Sequence, residues 1–244
     1  MNLINKWYCK LDASSKVGAV LMDLSKAYDT LPHDLLIAKL AAYGLGNKSL
    51  KFLLSYLSNR KQRVKMGSYL SDWLTVLLGV PQGSILGPIL FDIFINGLLI
   101  FLDDIDVCNF ADDNSISVYG ASANEITEKL EDRSRLTLKW FENNSMVANP
   151  KKFQVLFIDG SKTMSSLRLN INGKFIHSTE TVKLLGITID NKLSFKQHIE
   201  AVCSNASLKT KALSRIRRYL SHNQANTLCN AYILSAFSFL PVFG

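Results

Sequence analysis

The 244-residue chain has little of what would staple it, load it with zinc or anchor it in a bilayer. It has four cysteines, Cys9, Cys108, Cys203 and Cys229, in no C-x-x-C spacing, and four scattered histidines. That excludes the common zinc motifs and fits free thiols in a reducing compartment. The start, MNLINKWYCK, lacks the apolar core of a signal peptide, and no targeting signal is visible. The expected location is therefore intracellular, in nucleus or cytoplasm. No repeat or low-complexity tract occurs, and 48% hydrophobic with 20% charged residues describes a globular chain. The most apolar window, Ile85–Leu102, carries Pro88, Asp92 and Asn96. An aspartate in mid-bilayer costs roughly 3 kcal/mol, so this window reads as a buried helix and no membrane partner is expected. Acid is missing in two places, Lys51–Lys65 and everything after Glu200. Lys51, Arg60, Lys61, Arg63 and Lys65 fill the first; Lys209, Lys211, Arg215, Arg217 and Arg218 fill the second. With a net charge of +8, these clusters suit either a solvated surface or a polyanionic partner such as nucleic acid.

The patterning gives an α+β layout without a regular βαβ rhythm. Val17–Leu24 is a continuous apolar run, as in a buried central strand. Helices are expected over 31–46, stopping at Gly44 or Gly46, over 47–60, and over 85–102 with Ser84 as N-cap. Residues 60–66 and 73–78 read as two strands around a turn. Short strands at 105–110 and 114–119 flank Ala-Asp-Asp, and an amphipathic helix follows over 124–144. Strands are expected at 153–158 and around Asn172-Gly173, a two-residue hairpin signal, with a strand or hairpin at 182–190. From Ser194 the pattern is helical and basic. The simplest packing is a mostly antiparallel sheet with helices on one face, over 1–193, followed by a small helical segment over 194–244.

Asp112 and Asp113 stand side by side between apolar stretches. Taken alone, they make a polar hairpin turn. Asp23 changes the weighing, because it ends the apolar run AVLM, where an unpaired charge is costly to bury. If the two strands are neighbours, three carboxylates converge, the donor set that hard divalent cations such as Mg²⁺ prefer.

These stretches resemble reverse transcriptases. VLMDLSKAYDTLPHDLL resembles the first palm motif of that family, GVPQGSILGPILFDIFIN (Gly79–Asn96) the second and FADD (Phe110–Asp113) the third. NPKKFQVLF (Asn149–Phe157) is similar to the fourth, and LLGITID (Leu184–Asp190) to the hairpin that grips a primer end. All five occur in the family's order, and the wording resembles non-LTR retrotransposon polymerases of the jockey-like kind. The resemblance covers nearly the whole chain. It implies a right-hand palm with partial fingers over 1–193, followed by the start of a thumb over 194–244. It implies RNA-directed DNA polymerase activity with two Mg²⁺ ions, Mn²⁺ being possible, on an RNA template, a DNA primer and dNTPs.

By the same resemblance Asp23, Asp112 and Asp113 bind metal, Asp23 and Asp112 as direct ligands, with the Leu24 carbonyl as a further ligand. Tyr28 takes the steric-gate position under the incoming sugar. Otherwise it is a core aromatic at a helix start. Gln82 and Gly83 correspond to residues touching the templating base and incoming nucleotide; the same loop also serves as a strand-to-helix connection. Lys152 corresponds to the lysine near departing pyrophosphate, with Lys151 as competitor. His33 is expected in a helix-start turn with no catalytic task. Gly97 stands where the family often has an acid, and Phe153 where a small or hydroxyl residue is usual. The upstream fingers and an endonuclease domain are not visible, and the chain stops soon after Pro241. Exposed apolar surface is expected where fingers would dock. A catalytically silent mobile-element remnant that still binds nucleic acid is the alternative reading, and an RNA-directed RNA polymerase is a third, disfavoured by Tyr28.

Overall fold

The computed structural model describes residues 2–102, 107–160 and 166–239. A four-stranded antiparallel sheet forms its centre, in the order β6-β7-β1-β8. These strands are β1 (Lys16–Asp23), β6 (Val107–Phe110), β7 (Asp113–Gly120) and β8 (Gln154–Ile158). The helices are α1 (Asn2–Asp12), α2 (His33–Ala42), α3 (Asn47–Leu57), α4 (Leu86–Leu102), α5 (Ala123–Asn143), α6 (Lys196–Ile216) and α7 (His222–Tyr232).

Strand β1 is buried on both faces, which explains its unbroken apolar sequence. Its side chains alternate. Val20 and Met22 join the larger core with α2, α4 and α5. Val17, Ala19 and Leu21 join a second core with Trp7, Leu156, Val182, Ile189 and Phe195. Gly18 lets α5 lie directly on the sheet: a Cβ there would fall 2.3 Å from Ile126 Cγ2. The larger helical layer thus covers one face as expected. The opposite face is covered too, by α1 and a hairpin of β11 (Thr181–Leu184) and β12 (Ile187–Asp190). Helix α1 was not read from the sequence. It is tied down by Trp7, which donates from Nε1 to Ser117 Oγ at 3.0 Å.

The strand read from Ile105 is described from Val107 onward; 105 and 106 lie outside the described residues, as does Pro241. The Asn172-Gly173 hairpin forms as read, between β9 (Arg168–Ile171) and β10 (Lys174–His177). Residues 182–190 resolve into a hairpin rather than one strand. The paired strands expected over 60–78 form a long broken hairpin of β2 (Lys61–Gln62), β3 (Lys65–Met66), β4 (Tyr69–Leu70) and β5 (Leu74–Thr75). No described helix is long and apolar enough to cross a membrane.

Candidate active site

The end of β1 and the start of β7 meet in register, Asp23 directly opposite Asp113. Phe110 pairs with Asp113 across β6 and β7, so Ala111 and Asp112 alone make the turn. Ala111 has φ 52°, a left-handed conformation that glycine normally supplies. Asn114, 1% exposed, braces the turn by donating from Nδ2 to the Asp112 carbonyl at 3.0 Å. Burial raises the pKa of Asp113, and the charges of Asp112 and Asp23 raise it further. The three aspartates therefore form one electrostatic unit.

The fourth member arrives on a short 3-10 turn, Pro150–Lys152. Asn149 fixes that turn to β1: its N–H donates to the Asp23 carbonyl at 3.0 Å, and its Oδ1 accepts from Lys151 N at 3.3 Å. Lys152 is thereby aimed at Asp23, with Nζ 3.2 Å from each carboxylate oxygen. Of the two lysines weighed from the sequence, Lys152 makes this contact. Asp23, Asp113 and Lys152 line a cleft of about 350 Å³ with Lys151, Lys183 and Leu184. The last two belong to the β11–β12 hairpin, fastened to β8 by Gln154 Oε1 accepting from Lys183 N at 2.9 Å. Its turn residues Leu185 and Gly186 both have positive φ, 49° and 84°.

Tyr28 lies across the turn. It stacks on Phe91 with centroids 4.5 Å apart and lines a second cleft of about 400 Å³ with Asp92, Asn96, Asn109 and Phe110. Burial raises the Tyr28 pKa, with Asp92 and Asp112 adding to it. Tyr28 thus has an aromatic packing partner and feels the charges of Asp92 and Asp112. Gln82 and Gly83 line neither cleft. Gln82 donates from Nε2 to Asp29 Oδ1 at 2.8 Å, next to Tyr28 in sequence, and Gly83 faces open space at φ 78°. The segment before them is stitched to the Tyr28 loop by Gly79 N to Leu31 O, 2.7 Å, and Val80 N to Tyr28 O, 2.8 Å. His33 begins α2 as expected, and also braces this junction with Nε2 2.8 Å from the Gly79 carbonyl oxygen. Ser84 Oγ accepts from Gly87 N at 3.0 Å, capping α4 as read. Leu24 is buried and bridges Ala148.

The all-oxygen carboxylate set suits a hard cation, and the Lys152 ammonium already neutralises one member. Among the described residues no group of three or more His, Cys, Asp and Glu side chains is gathered closely enough to form a finished metal cage. Asn149 and Asn114 were missed from the sequence as positioning residues. Their signal was local: an Asn-Pro turn start and a polar residue in an otherwise buried strand.

An antiparallel sheet carrying paired aspartates at a strand end and a tight hairpin is the palm of a right-hand polymerase. The solved structures agree in fold. Candida tropicalis apo telomerase truncated from its C-terminal domain aligns with a TM-score of 0.56 at 16% identity, over 79% of this chain and 38% of that one. Candida albicans telomerase in complex with a telomeric RNA fragment aligns at 0.55 and 14%, over 99% and 43%. Residues 5–189 match the family described as reverse transcriptase (RNA-dependent DNA polymerase), and the chain belongs to it. Its curated relatives come from jockey and other non-LTR retrotransposons. It is 31% identical over 192 residues to the RNA-directed DNA polymerase from mobile element jockey of Drosophila melanogaster, covering 75% of this chain and 20% of that protein. It is 27% identical over 204 residues to a probable RNA-directed DNA polymerase from transposon BS of the same organism, covering 78% and 22%. The chain thus spans about a fifth of the length of these relatives.

Proposed function

We propose that this chain is the palm of an RNA-directed DNA polymerase, joining dNTPs to a DNA primer on an RNA template. The observation that carries the reading is the register of Asp23 opposite Asp113, with Asp112 in the adjoining turn and Lys152 facing them. The family uses divalent metals; Asp23, Asp112, Asp113 and the Leu24 carbonyl would hold two Mg²⁺ or Mn²⁺ ions, which supply activation of the attacking hydroxyl and charge neutralisation on the phosphates. In the reaction the primer 3′-oxygen forms a bond to the α-phosphorus, the bond from that phosphorus to the pyrophosphate oxygen breaks, and the hydroxyl proton passes to solvent. No side-chain nucleophile is needed, because phosphoryl transfer rests on positioning and electrostatics. Lys152 offsets charge growing on the departing pyrophosphate. Tyr28, held by Phe91, limits room for a 2′-hydroxyl. Gln82 and Gly83 touch the templating base and the incoming nucleotide. Residues 1–193 act as the palm, and the basic helices of 194–244 begin a thumb that meets backbone phosphates without reading sequence. The work would take place inside the cell, in nucleus or cytoplasm.

The test is primer extension on an RNA template with Mg²⁺ and dNTPs, with the Asp112→Asn, Asp113→Asn double variant as control. Extension that disappears in the variant supports the reading. Equal extension by both chains refutes the aspartates' role. Absence of extension by either, with salt-sensitive duplex binding retained, selects the silent remnant.

A further inference from the structure

The hairpin of β2 to β5 is the least buried part of the described chain: residues 61–75 are all exposed. Its two ladders differ in register by one residue. Lys61 pairs with Thr75 and Gln62 with Leu74, but Lys65 pairs with Leu70 and Met66 with Tyr69. One residue is therefore extra on the descending side, a bulge in the Ser71–Trp73 stretch. Above it, Ser71 N donates to Val64 O at 2.9 Å; below it, Arg63 covers the ring of Trp73, 4.5 Å from the centroid.

Strand alternation gives the arm two unlike faces. Lys61, Arg63 and Lys65 fall on one, about 6.7 Å apart along the strand, with Trp73 beneath Arg63. Val64 and Met66 fall on the other, 71% and 75% exposed. The strand that carries these cations has no acid; the one acid on the arm is Asp72, in the bulge. A row of cations calls for a row of anions. A half-exposed indole, 57% accessible, offers a flat surface on which a base can stack. Bases paired in a duplex keep their faces covered, so the combination selects an unpaired strand.

We propose that this arm binds single-stranded nucleic acid through Lys61, Arg63, Lys65 and Trp73, as an element separable from the aspartate cleft. This goes beyond the polymerase reading, because it requires no metal and holds even if the carboxylates do no chemistry.

The chain itself supplies the reporter. Of its three tryptophans, Trp7 and Trp140 are buried, so quenching by added oligonucleotide reports Trp73. A 20-nucleotide dT oligonucleotide titrated into the full chain without divalent metal is expected to quench saturably, and a blunt duplex of equal length to quench far less. The Lys61→Ala, Arg63→Ala, Lys65→Ala variant should lower the slope of log affinity against log salt by about 2. Trp73→Ala, followed with a labelled oligonucleotide, should weaken binding on the order of tenfold. Asp112→Asn, Asp113→Asn should bind as the parent does, so failed extension with preserved quenching separates the two proposals. Circular dichroism melts check that the variants fold. Unsaturable quenching, equal quenching by duplex, or a triple variant with unchanged affinity and salt slope would each overturn the proposal.

Discussion

Asp113→Asn is expected to make the metal-free chain more stable while removing a group its proposed chemistry needs. Asp23 and Asp113 are directly opposite on neighbouring antiparallel strands. Such positions hold their Cβ atoms about 5 Å apart, where like charges repel by about 0.2–1 kcal/mol at a partly solvated site. Lys152 offsets part of the Asp23 charge, which keeps the gain toward the middle of that range. For a chain of this length the melting temperature should rise by about 1–3 °C at neutral pH without divalent cations. The sign with pH follows from Asp113, whose pKa is raised by burial first and by Asp112 and Asp23 next. The folded chain holds that proton more tightly than the unfolded one, so wild-type stability falls as pH rises from the ordinary carboxylate range through the raised value. Asparagine does not titrate, so the variant's advantage should open across that window and vanish below it. Thermal melts at several pH values, with and without Mg²⁺, test this, and Mg²⁺ should stabilise the wild type more than the variant. A variant that melts at or below wild type at neutral pH without metal, or a gap indifferent to pH, would refute the coupling.

Two further perturbations probe the surroundings. Asp190 accepts from Lys192 N, Ser194 N, Ser194 Oγ and Phe195 N, and although burial raises its pKa, these bonds pull it below the usual carboxylate value. Asp190→Asn should cost about 2 kcal/mol at neutral pH in a denaturant titration; its deficit should shrink as pH falls through the depressed value, where wild type loses the same stabilisation. Gly97 lies against Lys39, whose amine is half-buried over the rings of Phe94 and Trp140 and pushed down to about 8 by that desolvation. A Cβ there would sit 3.4 Å from Lys39 Nζ, so Gly97→Asp should pair the amine. Wild type should gain stability from about pH 8 to 10.5, where only its unfolded state still binds the proton, and melts of the variant should show that gain flattened.

How much of the fold was legible depended on whether the signal was local. The Val17–Leu24 run, the Asn172-Gly173 turn and the Ser84 cap each follow from a few adjacent residues, and each forms as read. Helix α1 was invisible because its reason is distant: Trp7 is held by Ser117, more than a hundred residues away. The covering of the second sheet face was missed for the same cause, since Val182, Ile189 and Phe195 reach it only after the chain returns as a hairpin.

The site shows the same division, with one difference that bears on function. The aspartates were found because a charge closing an apolar strand conflicts with its surroundings, and the register then set two of them face to face. Lys152 was chosen by resemblance with Lys151 left as competitor, because its contact with Asp23 rests on the Asn149 turn and its bond to the Asp23 carbonyl. The turns around the cleft break the local rules that the remote hairpin obeys. Asn172-Gly173 meets its left-handed geometry with residues that tolerate it, whereas the same geometry at Leu185-Gly186 is imposed on a leucine, and at Ala111 on an alanine. Each such residue costs on the order of 1 kcal/mol, which packing elsewhere must offset. A chain selected only for stability would place asparagine or glycine at both. Left-handed backbone also falls on Leu193 and Phe195, at φ 52° and 55° in the second core, so such geometry does not by itself mark the site; at Ala111 and Leu185 its consequence is positional, setting Asp112 on one side of the cleft and Lys183 with Leu184 on the other.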